Sequence, residues 1–276
     1  MSKLLLPDTE PVLLAGLLYL GGGIGITLYG LARRNPREQA LTRADAPTIA
    51  GITLAGGIVA PVLLLWGLTR VSGLVGSLLL NLEGVFTVLL ALALFGERVS
   101  RLEGRAIAVV LVGTAVLTVE PRGGRVDWLG AAAIMAACLA WSIDNNLTRR
   151  LSVRDPTQIV QIKTLVAGAT NVVIALSVGQ RLSGIELLAP ALLVGFLSYG
   201  VSILLDVYAL RLLGAAREAA FFAMAPFMGA AMAVPLLGDT PQRGDLVGGA
   251  MMLGGVVWLL YIGRRAAQDP PCRSND

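Results

Sequence analysis

The sequence contains no histidine and only two cysteines, Cys138 and Cys272. The missing histidine removes the commonest metal ligand and general base. The two cysteines form neither a disulfide framework nor a metal-binding spacing. Charged residues are also scarce, at 14% of the chain, whereas hydrophobic residues reach 55%. Because soluble domains carry roughly 25% charged residues, this composition argues against a water-exposed globular protein. It also predicts no metal, no cofactor and no catalytic group.

Long apolar runs fill most of the chain, and its mean hydropathy is +0.75. A transmembrane helix needs about 20 apolar residues, and continuous runs without two-residue alternation favour helices over barrel strands. The sequence therefore predicts an all-α polytopic membrane protein, embedded in the lipid bilayer, with about nine transmembrane helices. The predicted spans cover residues 11–31, 46–68, 72–95, 105–119, 128–147, 157–178, 188–210, 215–237 and 246–262.

Lysine and arginine are unevenly divided between the two sets of alternating loops. One set, with the C-terminal tail, holds 15 of the 22 basic residues; the other holds six, and Lys163 lies inside a span. Because basic loops stay in the cytoplasm, we expect a multi-pass protein of the inner cell membrane with a cytoplasmic C-terminus and an external N-terminus. Orientation thus explains the net charge of +4 without a nucleic-acid partner.

The chain contains an internal repeat with an offset of 142 residues. Phe95-Gly96-Glu97 falls on Leu237-Gly238-Asp239 without gaps. Other matched positions are Trp66 with Tyr208, Arg101 with Arg243, and Glu103 with Asp245. The first Gly–acid loop is expected inside and the second outside, so the halves are predicted to have inverted topology. This arrangement is typical of secondary transporters, whose substrate sites lie near the membrane midplane between repeats.

Two copies of a short motif resemble a known family. Asn81-Leu82-Glu83-Gly84-Val85-Phe86, followed by Gly96-Glu97, resembles the LEPVF…GE signature of EamA-type transporters in the drug/metabolite transporter superfamily. Ala225-Pro226-Phe227 followed by Gly238-Asp239 resembles its second copy. The resemblance implies ten helices in two five-helix repeats, and export of amino acids, related metabolites or drugs. Gly84 departs from the family, which often has proline there.

The repeat predicts how the chain is divided. Residues 1–122 form a first repeat of four helices, residues 123–263 a second repeat of five, and residues 264–276 a cytoplasmic tail. The partner of the 128–147 span would fall before Met1, so the first repeat is expected to lack its first helix. Gly21-Gly22-Gly23, which lies inside a span, is interpreted as a helix-packing element.

Glu83 is the first candidate site residue, since an ionisable group inside a membrane span is costly and usually faces a cavity or a partner. It lies near the middle of its predicted span, beside Asn81, with Thr87 one turn further on the same side. One interpretation is a carboxylate that binds a substrate amine or a coupling proton. The other is a protonated carboxyl that hydrogen-bonds a neighbouring helix.

Asp144 and Lys163 lie at similar depths in consecutive spans, so the lysine is expected to reach the aspartate. This pair is either a structural ion pair or a gate that contacts substrate. Asn145, next to Asp144, either satisfies the helix end or lines the cavity.

The remaining candidates lie on other spans. Tyr199, Ser202 and Asp206 follow spacings of three and four and form one polar stripe, which either lines a cavity or hydrogen-bonds between helices. Trp66 lies near a span end, where it acts either as an interfacial anchor or as a stacking surface for substrate.

These features together predict a secondary transporter that exports small metabolites such as amino acids by alternating access. There is no G-x-x-x-x-G-K-[ST] run for a nucleotide-driven pump. The alternatives are an integral membrane enzyme, which would need an activated nucleophile or an acid pair, and a channel, which would need a selectivity filter.

Overall fold

The computed structural model describes residues 10–32, 38–95, 100–119, 127–151, 153–181, 184–213 and 225–268. Within these ranges the chain is helical apart from short connections and forms no strand, which confirms the predicted all-α class. The helices, in chain order, are α1 (Pro11–Ala32), α2 (Arg43–Leu68), α3 (Gly73–Leu79), α4 (Leu82–Phe95), α5 (Arg101–Val119), α6 (Trp128–Leu151), α7 (Pro156–Ser177), α8 (residues 185–213), α9 (Ala225–Leu237) and α10 (Arg243–Gln268).

Among these described helices, six are long and apolar enough to cross a membrane: α1, α2, α6, α7, α8 and α10. Shorter apolar helices include α9 and the region of α3 and α4. The chain is therefore a polytopic membrane protein, as predicted. Residues 214–224, the start of the predicted 215–237 span, lie outside the described ranges, as do Gly96 and Glu97 of the first Gly–acid loop.

The predicted 72–95 span is not one continuous helix, and this corrects the prediction. Helix α3 ends at Leu79, Leu80 and Asn81 form a turn, and α4 begins at Leu82. The Asn81 side-chain amide donates to the Leu78 carbonyl oxygen over 3.0 Å, and such a local bond competes with the helix ladder. Glu83 therefore lies in the first turn of a half-helix.

Helices α2 and α8 each contain an internal π-helical segment, at Thr53–Val59 in α2 and at Phe196–Val201 in α8. In the first segment the Ala60 N–H donates to the Ala55 carbonyl, five residues back instead of four. Such segments widen the helix and are frequent at functional sites.

Helix α1 packs closely against α7 and α8 through glycines. A Cβ atom added to Gly21 would lie 2.1 Å from the Leu192 carbonyl oxygen, and one added to Gly23 would lie 2.6 Å from Leu165 Cδ2. Small residues permit this close approach of helices. The packing role predicted for the glycine run is therefore confirmed.

At one end of the bundle, which we call the arginine-rich face, ion pairs join the start of α2 and the segment before it to the segment before α7 and to the end of α8. The Arg211 guanidinium lies 2.9 Å from the Glu38 carboxylate, and the Arg154 guanidinium lies 3.2 Å from that of Asp45. Two further arginines, Arg149 and Arg150, are exposed in the last turn of α6.

The other end, which we call the opposite face, is held by fewer charges. Arg70 after α2 lies 2.8 Å from Asp127 before α6. This hydrogen bond, together with the Gly130 N–H, holds the pKa of the Asp127 carboxyl below its ordinary value. The Gln180 side chain accepts from the Leu13 N–H over 3.1 Å and joins the end of α7 to the start of α1.

Candidate functional site

Glu83, in the first turn of α4, is buried against α6, with 8% of its surface exposed. The Asn145 side-chain amide donates to Glu83 Oε1 over 2.7 Å. The Ser142 hydroxyl donates to the Glu83 carbonyl oxygen over 2.9 Å, and so does the Thr87 hydroxyl over 2.8 Å. Helix α6 therefore fixes both the side chain and the backbone of Glu83 beside the break between α3 and α4.

Asn81 lies in that break and is also buried. Its amide nitrogen is used by the Leu78 carbonyl, but its Oδ1 atom has no hydrogen-bond partner among the described residues. A buried acceptor without a donor costs about 1–3 kcal/mol. This oxygen is therefore suited to accept from a donor group on a bound molecule.

The predicted ion pair between Asp144 and Lys163 is present. The Lys163 ammonium contacts Asp144 Oδ2, and the two side chains are only 4–5% exposed. The Thr148 hydroxyl donates to Asp144 Oδ1 over 3.1 Å. Helix α6 continues to Leu151, four residues beyond its predicted end, so the pair lies about 10 Å inside the arginine-rich face. Its role as a gate or substrate contact stays a prediction.

The π segment of α2 presents two backbone carbonyls, Gly56 and Gly57, toward this region. Pro61 has no N–H. It therefore cannot donate to the Gly57 carbonyl, four residues earlier, as in an α-helix, or to the Gly56 carbonyl, five residues earlier, as in a π-helix. The Tyr19 hydroxyl and the Trp141 indole N–H donate to the Gly56 oxygen over 2.5 and 3.0 Å. Side chains from α1 and α6 thus replace the missing backbone donor.

Helices α2 and α7 are connected through the second of these carbonyls. The Asn171 amide donates to the Gly57 oxygen over 3.1 Å, and a Cβ atom added to Gly57 would lie 2.6 Å from Ala167 Cβ. On the preceding residue, a Cβ atom added to Gly56 would lie 2.0 Å from Asp144 Oδ2. The Asp144 carboxylate therefore rests directly on the backbone of the π segment.

The predicted stripe on α8 is only partly directed toward this interior. The Tyr199 ring packs on the Tyr19 ring with centroids 4.6 Å apart, which joins the π segment of α8 to that of α2 through α1. Asp206 is half-buried. Ser202 is exposed.

Trp66 lies apart from the polar interior. It is 37% exposed near the end of α2, and the Arg70 guanidinium lies 4.4 Å from its ring centroid. Tyr208 on α8 has a similar contact with Arg211 at 5.9 Å. The geometry favours the anchoring interpretation of Trp66, because aromatic side chains near basic residues are typical of membrane interfaces.

The sequence interpretation missed Tyr19, Trp141 and Asn171, which complete the polar interior. All three donate to carbonyls of the α2 π segment. A signal was present: Pro61 in an apolar span leaves carbonyls one turn earlier without donors, so buried donors on neighbouring helices were required.

The fold and the buried polar network together define an integral membrane protein with a cluster of polar and charged side chains inside an apolar bundle. Residues 1–119 and 128–261 match the EamA-like transporter family. The chain belongs to that family.

Named relatives agree with this assignment. An "Uncharacterized transporter" of Methanothermobacter thermautotrophicus is 28% identical, and the match covers 96% of this chain and 82% of that protein. A "Probable terminal-alkyne amino-acid exporter" of Streptantibioticus cattleyicolor is 28% identical over 91% and 84%. A "Probable amino-acid metabolite efflux pump" of Salmonella typhimurium is 25% identical over 65% and 64%.

Among solved structures, one described as "Crystal structure of protein" shares the fold. Its TM-score is 0.67 at 20% identity, and the match covers 96% of this chain and 92% of that one.

Proposed function

We propose that the chain is a secondary transporter that exports small metabolites such as amino acids by alternating access, with its substrate site beside Glu83. The observation that carries the proposal is a carboxylate, an ion pair and an unpartnered amide oxygen buried together in an apolar bundle. Charges in a membrane interior are costly and are usually found where transport or proton relay requires them. The relatives named as amino-acid exporters support the same function.

Helix boundaries support two repeats, over residues 1–122 and 123–263. Helix α2 begins with a 3-10 turn at Arg43–Asp45 and α8 with one at Ile185–Leu187, at an offset of 142 residues. The π segments follow at nearly the same offset, Thr53–Val59 and Phe196–Val201.

Local capping supports the repeat independently. At the start of α5 the Glu103 carboxylate accepts from the Ser100 N–H over 2.7 Å. At the start of α10 the Asp245 carboxylate accepts from the Gln242 N–H over 2.9 Å. These residues are 142 positions apart, so the matched acidic residues of the repeat have the same structural role.

The packing of equivalent helices supports an inverted relation between the repeats. Gly113 of α5 lies against Gly248 of α10, whereas Gly255 of α10 lies against Ala106 of α5. The two helices are therefore antiparallel. Helices α1 and α7 also run antiparallel, since Gly16 and Gly23 lie against residues 172 and 165.

Nine spans and an inner-membrane location complete the proposal. The arginine-rich face is the cytoplasmic one, because basic segments are retained there. It includes the starts of α5 and α7 and the ends of α1, α6 and α10, so the 264–276 tail is cytoplasmic.

The chemistry of the site suits a zwitterionic substrate. The Glu83 carboxylate and the free Asn81 oxygen accept from an ammonium group. Lys163 is the basic residue inside the described polar interior and offers a partner for a carboxylate. Of the nine candidates, seven are proposed to serve this site: Glu83, Asn81, Asp144, Asn145, Lys163, Tyr199 and Asp206. Trp66 and Ser202, which are exposed, lie away from it.

The proposal is tested by reconstituting the purified chain in liposomes and measuring counterflow of labelled amino acids. A transporter gives saturable uptake that depends on unlabelled substrate inside the liposomes. Non-saturable flux would instead indicate a channel, and conversion of the substrate to a product would indicate an enzyme. Either result would overturn the proposal.

A further inference from the structure

A contact between the two halves of the chain closes the opposite face. Asp239 follows α9 in the second half, and its Oδ2 atom accepts from the Leu74 N–H, in the first turn of α3, over 2.8 Å. The same turn has its own cap, because the Ser72 hydroxyl accepts from the Val75 N–H over 3.2 Å. The first turn of α3 is thus capped once from within its own half and once from the other.

Local backbone geometry directs Asp239 into this contact. Gly238 has φ +70°, a left-handed conformation that glycine adopts without strain. Its N–H donates to the Val234 carbonyl over 3.1 Å, which ends α9 as a glycine C-cap. The chain therefore turns back at Gly238 and presents the next carboxylate to the N-terminus of α3, where negative charge is favoured.

The seam between α3 and α9 continues from this contact into the bundle. A Cβ atom added to Gly73 would lie 2.3 Å from Leu237 Cδ1 and 3.2 Å from Asp239 Oδ2. One level deeper, an added Gly229 Cβ would lie 3.0 Å from the Ser77 hydroxyl oxygen. The two helices are in close contact along the seam, which leads from the opposite face toward the break at Asn81 and Glu83.

We infer that Asp239 is a latch between the halves that holds the opposite face closed. The inference rests on the proposed alternating-access function, because exposing the site to the opposite face requires α3 and α9 to separate. Separation breaks the bond from Leu74 to Asp239 and leaves the Ser72 cap intact. The Gly–acid sequence after α9 thus has two roles. Gly238 reverses the chain direction at the end of α9, and the Asp239 carboxylate joins the second half of the chain to the first by its hydrogen bond to the Leu74 N–H.

The test measures access directly, so that it does not depend on transport. A cysteine at Ser77, in a chain whose native cysteines are replaced, reports whether the seam is open to a membrane-impermeant thiol reagent applied on each side. Asp239→Ala is expected to raise the labelling rate from the opposite face about tenfold or more, since a hydrogen bond to a charged group is lost. Gly73→Ala is expected to act in the same direction by pushing Leu237 away.

Two matched controls separate a latch from a general weakening of the region. Ser72→Ala removes the cap of the same helix turn without touching the other half. Gly249→Ala adds a methyl group 3.4 Å from Leu78 Cδ1 at the neighbouring α10 contact, which is an ordinary distance. Both are expected to leave labelling at the wild-type rate.

Equal labelling of Asp239→Ala and the wild type would overturn the latch, as would equal stimulation by Ser72→Ala. The proposed function fails separately, through absence of counterflow in the wild type. Asp239→Asn provides a further discrimination: it keeps an acceptor oxygen but loses the charge, so intermediate labelling is expected.

Discussion

Replacing Asp144 by asparagine would leave the Lys163 ammonium buried without a counterion. The two side chains are 4–5% exposed and lie about 10 Å inside the bundle, so water cannot compensate the charge. Breaking a buried pair on one side costs about 3–5 kcal/mol, because the remaining charge stays desolvated. We expect the thermal unfolding midpoint of the purified protein to fall on the order of 10 °C.

Double variants show whether the loss comes from the unpaired charge. Asp144→Asn with Lys163→Met removes both charges at similar volume and is expected to recover most of the stability. The exchanged pair, Asp144→Lys with Lys163→Asp, is expected to recover less. The carboxylate at 144 rests on Gly56 and accepts from Thr148, and a lysine there fits neither contact.

The assay is thermal unfolding in detergent, combined with counterflow in liposomes normalised to the inserted protein. If neither double variant is more stable than Asp144→Asn, the loss of stability does not come from the unpaired lysine charge. A stable neutral double with wild-type counterflow would assign the pair a structural role, whereas a stable double without counterflow would support a gate or substrate contact.

Two further predictions follow from the packing and one from the proposed orientation. A Cβ atom added at Gly229 would lie 3.3 Å from Ser77 Cβ, so cysteines at the two positions are close enough to form a disulfide. Oxidation of this pair should stop counterflow, and a reductant should restore it. Transport that persists in the cross-linked protein would contradict a separation of α3 from α9. Gly56→Ala should lower the free energy of unfolding by about 1–3 kcal/mol, because the added methyl group meets the Asp144 carboxylate. Gly84→Ala should leave it unchanged, because no atom lies within 4 Å of the added methyl group. Equal melting temperatures of the two variants would refute this prediction. A cysteine at Val153 should react with an impermeant reagent only from the cytoplasmic side, and labelling from outside would reverse the proposed orientation.

The all-α class and the approximate positions of most described helices were predictable because apolar run length is a strong constraint in membranes. The Asp144–Lys163 pair was predictable for the same reason: helix rise converts sequence position into depth. The break at Asn81 was not predicted, since neither proline nor glycine occupies the turn. Only the polar Asn81 and Glu83 in an apolar run indicated an interruption there.

The network around the π segment of α2 depends on tertiary contacts, so the sequence alone did not place it. Pro61 marked where backbone carbonyls lose donors, but the donors come from other helices: Tyr19 lies 37 residues earlier on α1, and Trp141 lies 85 residues later on α6. The Tyr19 hydroxyl donates to the Gly56 oxygen across the contact between α1 and α2, a tertiary contact that neither helix pattern fixes by itself. The anchoring contact of Trp66 was foreseeable, since Arg70 follows one turn later.

The most direct test of the proposed site is counterflow of a labelled amino acid by Glu83→Gln, measured across pH and normalised to inserted protein. Glutamine keeps the shape and the oxygen that accepts from Asn145, but it neither carries charge nor titrates. We predict that the folded variant has strongly reduced or pH-insensitive flux. Flux at the wild-type rate with the wild-type pH dependence would contradict the account and leave Glu83 as a packing residue.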